Sequence, residues 1–148
     1  AYSNFVQGNY YNNFQAFSSV QAIVTKESVA LFRDILSSYG ADYSQEFLDQ
    51  TRQALLRTMN GSFETPAAQL AMLRKIALYG LADDYVKRNE QTLQDMTLDE
   101  AKRVIGQYID FDRMTIVIVG DAKTQLAGVR SLGLGDLVVV DSQGRPVK

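Results

Sequence analysis

The sequence predicts an α+β domain in two layers, a mixed β-sheet with helices packed on one face. Three observations predict it. Residues 63–85 form a helical stretch apolar on almost every side, and residues 1–25 are rich in the aromatic and β-branched types that strands favour. Residues 116–119 are a continuous β-branched run, the pattern of a strand covered on both faces. A helix as apolar as 63–85 needs neighbours, so the other elements are expected to pack around it.

Along the chain, residues 1–25 read as two strands carrying Tyr2, Phe5, Tyr10 and Tyr11, then Phe14, Phe17, Val20, Ile23 and Val24. Asn12-Asn13 is the expected turn, because Asn tolerates left-handed backbone, and Gly8 marks a bulge. Residues 27–39 form a helix with Val29, Phe32, Ile35, Leu36 and Tyr39 on one face, ended by Gly40. Ser44 caps the next helix, with Gln45 and Glu46 in its first turn. Its inner face is Leu48, Leu55, Leu56 and Met59, and Asn60-Gly61 closes it.

In the 63–85 stretch Thr65 is the N-cap, Pro66 the first helical residue and Gly80 the left-handed residue past the end. Leu70, Leu73, Ile76 and Ala77 make the stripe, widened by Ala71, Met72 and Leu78; Gln69, Arg74 and Lys75 form the polar side. A shorter helix over 83–94 has only the thin stripe Tyr85, Val86 and Leu93. Thr97-Leu98-Asp99-Glu100 is a capping box, with Met96 and Ala101 placed as a staple and Ala101, Val104, Ile105 and Tyr108 as the buried stripe. Residues 114–119 and 137–140 are strands around a helix that Asp121 caps and that carries Leu126, Val129 and Leu132. If those strands are parallel, their crossover is right-handed. Gly133 and Gly135 break the helix, and the tail after Ser142 frays.

The totals bound the function. At 148 residues, 46% hydrophobic and 22% charged, residues 1–148 read as one ordinary globular domain without repeat or linker. A net charge of −2 leaves no basic footprint for nucleic acid or an anionic bilayer, and no apolar run is long enough to span one. With no cysteine and no histidine, disulfides, thiol catalysis, serine–histidine catalysis and the usual zinc ligands are all excluded for this chain acting alone. The chain has no initiator Met and opens inside a strand, so it is expected to be a piece of a longer polypeptide.

Few residues invite a chemical role. Asp83, Asp84, Glu90 and Asp95 are carboxylates near a helix start, where the dipole favours them without any function. Residues 116–121 look like a strand delivering Asp121 to a sheet edge, as in receiver or nucleotide-binding domains, but no phosphate-cradling glycine motif follows. N-capping is the favoured role of Asp121. The aromatic cluster of residues 1–25 lacks any Arg or Lys, so a nucleic-acid stacking platform is disfavoured against packing or a peptide groove.

The run Phe63-Glu64-Thr65-Pro66, an apolar helix, Tyr79-Gly80-Leu81 and Asp83-Asp84-Tyr85 resembles the second-half domain of zinc peptidases of the insulinase/pitrilysin and mitochondrial-processing-peptidase superfamily. The similarity continues through Met96-Thr97-Leu98-Asp99-Glu100, through residues 114–121 and into Leu132-Gly133-Leu134-Gly135, so it covers nearly the whole chain. In that family the domain without zinc carries an Arg and, seven residues later, a Tyr that help hold the peptide near the zinc of the partner domain. Ala1-Tyr2-Ser3 matches the end of that stretch, which would make Tyr2 a substrate-binding residue; the Arg would lie before residue 1. A strand tyrosine packed in a core remains the alternative for Tyr2.

The resemblance thus implies a non-catalytic domain of an insulinase-like zinc metallopeptidase, or of an inactive paralogue, that completes the chamber and helps bind peptide. No cofactor is expected in this chain. Zinc would belong to a zinc-bearing peptidase domain or subunit as partner, since His-x-x-Glu-His is absent here. The alternative is a purely structural or assembly subunit of the same fold. A bacterial periplasm is the implied compartment, with the cytoplasm the other one open to it.

Overall fold

The computed structural model describes residues 1–8, 11–61 and 63–147. Among them the elements run in chain order β1 (Tyr2–Gln7), β2 (Asn12–Phe17), α1 (Thr25–Asp42), α2 (Gln45–Gly61), α3 (Pro66–Tyr79), α4 (Tyr85–Asp95), α5 (Leu98–Tyr108) and α6 (Ala122–Arg130). Short 3-10 turns over Ala22–Val24 and Phe111–Arg113 precede α1 and follow α5. The chain divides into two units, Ala1–Tyr39 with Gln107–Lys148, and Gly40–Gly106.

In the first unit β1 and β2 form an antiparallel hairpin with Tyr2 opposite Phe17, Phe5 opposite Phe14 and Gln7 opposite Asn12. Asn12-Asn13 therefore opens β2, and the turn lies before it; Tyr10, expected on a strand, falls outside the described residues. Gly8 belongs to that turn. Its N–H donates to Asn12 Oδ1 at 3.1 Å, and a Cβ there would meet the Tyr11 carbonyl oxygen at 2.9 Å, which only glycine avoids. Residues 20–24 are not strand. They turn into α1, where the Thr25 hydroxyl donates to the Ala22 carbonyl at 2.9 Å and is itself buried. On α1 Val29, Phe32 and Leu36 are half-buried as expected, while Ile35 and Tyr39 face solvent. Asp121 caps α6, its Oδ1 accepting the Lys123 N–H at 3.0 Å, and Leu126, Val129 and Leu132 are half-buried.

The second unit is a cluster of helices around Leu48, which is 5% exposed. Ser44 caps α2, its Oγ accepting the Phe47 N–H at 3.2 Å. The inner face of α2 is Leu48, Asp49, Arg52, Leu56 and Met59; Leu55 points outward. Arg52 joins α2 to the far end of α4, donating from Nε to the Leu93 carbonyl (2.9 Å), from Nη2 to the Met96 carbonyl (2.5 Å) and from Nη1 to Asp49 (2.8 Å). Thr97 caps α5, accepting the Glu100 N–H at 3.2 Å. The capping box is only half formed, because the Glu100 carboxylate turns to Arg103 at 2.7 and 3.0 Å instead of reaching back. Gly40 lets the end of α1 approach α5: a Cβ there would lie 3.3 Å from Ile105.

The predicted mixed sheet with helices on one face is not what the chain forms. Among the described residues the sheet has two antiparallel strands and no more. Residues 114–119 enter no ladder, with Val117 80% and Val119 96% exposed, and residues 137–140 make one isolated bridge, Val140 to Pro146. The physical reason is that a β-branched run favours extended backbone but also needs a neighbour to take its N–H and C=O groups. Residue type specifies the first condition and is silent on the second.

The predicted centre of the fold is likewise displaced. Both ends of α3 are as the sequence signals: Thr65 accepts the Ala68 N–H, Pro66 begins the helix, and Gly80 ends it at φ 59°. Its buried face is only partly so. Met72 and Ile76 turn inward as expected, but so do Ala68 and Lys75, while Leu70 and Leu73 are 67% and 63% exposed. Tyr108, placed in the α5 core stripe by its spacing, is also exposed.

Leu48→Ala should cost about 2–5 kcal/mol, Thr97→Ala about 1, and Leu73→Ala less than about 1. Chemical denaturation that puts Leu73 first would return α3 to the centre.

Asp141 gives a pH prediction. The backbone N–H groups of Arg145 and Gln143 donate to its Oδ1 at 3.0 and 2.8 Å and hold its carboxyl below the ordinary range, helped by the Arg145 guanidinium. A carboxyl depressed on folding stabilises the turn above its unfolded value, about 3.9, and that contribution is lost as pH falls through the lower folded value. The Gln143 and Arg145 amide resonances should therefore titrate with a midpoint below that of an unpaired Asp. A midpoint at or above it refutes the assignment.

Candidate functional site

Successive strand residues point to opposite faces, so the two aromatic pairs of the hairpin lie on opposite faces. Tyr2 meets Phe17 edge-on, and Phe5 and Phe14 lie with ring centroids 5.2 Å apart. Cross-strand pairs of this kind are worth roughly 0.2–1 kcal/mol each, which matters in a ribbon of two strands. Neither outer edge of the hairpin pairs with another described strand.

The Phe5–Phe14 side carries an open hollow of about 310 Å³, with Tyr108 as a further wall and Asn12 and Asn13 at its rim. Phe5 and Tyr108 are 54% and 59% exposed. An aromatic floor beside side-chain amides suits an apolar side chain with a polar main chain next to it. Tyr2 stands at the start of β1, 64% exposed, and its hydroxyl makes no hydrogen bond among the described residues. It is available to donate to a carbonyl. The sequence pointed to the aromatic cluster and to Tyr2. It missed Tyr108 as a wall of the hollow, because the helical period that assigned it to a core stops being informative at a helix end.

A second hollow, of about 80 Å³, lies in the other unit between Met59, Met72, Lys75 and Tyr85. Lys75 Nζ sits 3.3 Å from the Tyr85 hydroxyl and 5.3 Å from its ring centroid. The ammonium is thereby satisfied by a hydroxyl and an aromatic face.

The carboxylates that invited a metal are dispersed. Arg88 donates to Asp84 at 2.8 Å, Gln94 to Glu90 at 3.1 Å and Gln91 to Asp95 at 2.8 Å, all as neighbours along α4 and its cap. Among the described residues no group of three or more His, Cys, Asp or Glu converges as a metal site. The residues present do not fit zinc. The Asp121 carboxylate is spent on capping, accepting from Lys123 N–H and the Thr124 hydroxyl, which removes the reason for a receiver-like reading. No described helix is long and apolar enough to cross a membrane. Comparison with protein-family models, with curated proteins and with solved structures finds no match.

The purified chain, dialysed and analysed for metals, should hold no stoichiometric zinc and should cleave no peptide. One tightly retained zinc per chain would show a ligand set that these residues do not provide.

Proposed function

We propose that this chain is the non-catalytic, peptide-holding domain of an insulinase-like zinc peptidase or of an inactive paralogue. It acts beside a zinc-bearing domain or subunit, in a bacterial periplasm. One observation carries the peptide part: the hairpin has open edges, an aromatic hollow on one face and the exposed Tyr2 hydroxyl at its end. An extended peptide adds to such an edge by main-chain pairing and finds specificity in a side-chain hollow. The family part is supported by the order of the sequence motifs alone, since the two-stranded sheet departs from the fold that the resemblance implies. Chemistry is assigned to the partner because this chain has neither His nor Cys.

The test is titration of labelled extended peptides carrying apolar side chains, read by fluorescence anisotropy. Tyr2→Phe should weaken binding by roughly 3–10-fold, one hydrogen bond of about 0.5–1.5 kcal/mol, with the melting curve unchanged. Phe14→Ala should weaken it more, through the hollow. With the zinc-bearing partner present, Tyr2→Phe lowers kcat at similar KM if the hydroxyl acts only in the transition state, and raises KM if it binds the ground state. A chain that binds no peptide, alone or with its partner, would instead be an assembly subunit.

A further inference from the structure

We infer that the smaller hollow of the second unit binds a carboxylate bearing a short aliphatic chain, its charge held by Lys75 and Tyr85 and its carbons by Met59, Met72 and Val86. The inference does not rest on the peptide-holding reading, which concerns other residues.

The hollow lies between two helix faces. Met72 and Lys75, three residues apart, share a face of α3, and Tyr85 and Asn89, four apart, share a face of α4. Met59, near the end of α2, and Phe63, in the connection that follows, complete its wall. Met59, Met72, Lys75, Tyr85 and Val86 are all half-buried.

Its polar side has donors to spare and no negative charge. Lys75 Nζ donates to the Tyr85 hydroxyl at 3.3 Å, which holds the ammonium in place and spends one of its three N–H groups. Among the described residues no carboxylate pairs with it; Asp84, just before α4, is taken by Arg88 at 2.8 Å. The Tyr85 hydroxyl accepts from Lys75 and donates to nothing among the described residues, so its own proton is unspent. The Asn89 side chain makes no hydrogen bond among the described residues either and adds an amide N–H at the rim. A half-buried ammonium without a counter-ion, beside a phenol with a proton to give, is a recognition element for an anion.

Charge, size and wall select that anion. One ammonium among neutral donors matches a single negative charge; a phosphate dianion asks for a second cation, and no Arg lines the hollow. Two donors 3.3 Å apart suit the two oxygens of one carboxylate. The thioethers of Met59 and Met72 are polarizable and adaptable, and pack readily on an alkyl chain. An apolar cavity of about 150 Å³ takes benzene, so about 80 Å³ admits a shorter body, roughly three or four carbons. With so few atoms the binding is weak, on the order of millimolar. A free short-chain acid and the carboxy terminus of a peptide ending in a small apolar residue offer this same chemistry.

The probe is sodium butanoate, added to the chain with methyl-labelled methionine and compared with equal sodium chloride by NMR. The Met59 and Met72 methyl resonances should shift saturably, and those of Met96 and Met114, which do not line the hollow, should not. Butanamide, of the same shape without the charge, should bind at least about 10-fold more weakly. K75M keeps a long unbranched chain and should weaken butanoate about 10-fold or more; Y85F removes only the phenol oxygen and should weaken it roughly 3–10-fold. Acetyl-Gly-Gly-Val with a free or an amidated end separates the two sources. Tighter binding of the free-ended peptide than of butanoate assigns the hollow to a chain terminus, the reverse order to a free acid, and both keep the carboxylate site. No saturable shift of Met59 and Met72 with either carboxylate would overturn the inference. So would butanamide binding as tightly as butanoate, or an affinity for butanoate indifferent to Y85F.

Discussion

One guanidinium organises the second unit. Arg52 reaches from the middle of α2 to the last turn of α4 and to its C-cap, where the Leu93 and Met96 carbonyls would otherwise lack a donor. The final carbonyls of a helix have no partner within it, and a planar cation is suited to them both by its donors and by the helix dipole. Asp49, one turn earlier on α2, holds the same guanidinium and fixes its aim. With Arg52 only 23% exposed, that link fixes where α4 stops and where the segment leading to the Thr97 cap begins. Leu48, one turn before Arg52 on α2, is the most deeply buried apolar residue described, so α2 carries both the polar and the apolar anchor of the unit.

What the sequence made legible was punctuation. Ser44, Thr65, Thr97 and Asp121 all cap the helices they precede, and Pro66 and Gly80 bracket α3 as their backbone preferences require. Such signals act within a few residues, so no tertiary context is needed to read them. Burial was less legible. The predicted α3 stripe runs through Leu70, Leu73, Ile76 and Ala77, yet of these only Ile76 faces in, beside Met72 and the Lys75 expected on the polar side. A helix apolar on most sides has no single direction to announce, so hydrophobic periodicity cannot orient it.

The same distinction explains the site. Aromatic pairs in the hairpin follow from residue type, and the motif order picks out Tyr2, which is exposed. Gln7 opposite Asn12 was missed because the Asn-Asn pair looked like a turn, while the tight contact at Gly8 made the turn earlier. The predicted sheet exceeds the observed one for a deeper reason. Strand pairing is a non-local event, and neither residues 114–119 nor residues 137–140 contain information about the identity of a neighbour.

The outward leucines of α3 have a dynamic consequence. A helix of 14 residues is marginal in isolation, and α3 adds no fully buried residue to offset that. Its persistence rests on its ends, the Thr65 hydroxyl at one and the left-handed Gly80 at the other. Local opening in this unit should therefore begin at α3, with fast amide exchange and early proteolytic nicking there, while α2 stays closed around Leu48 and Arg52. The segment that composition marks as the most deeply seated is one the protein can readily let go.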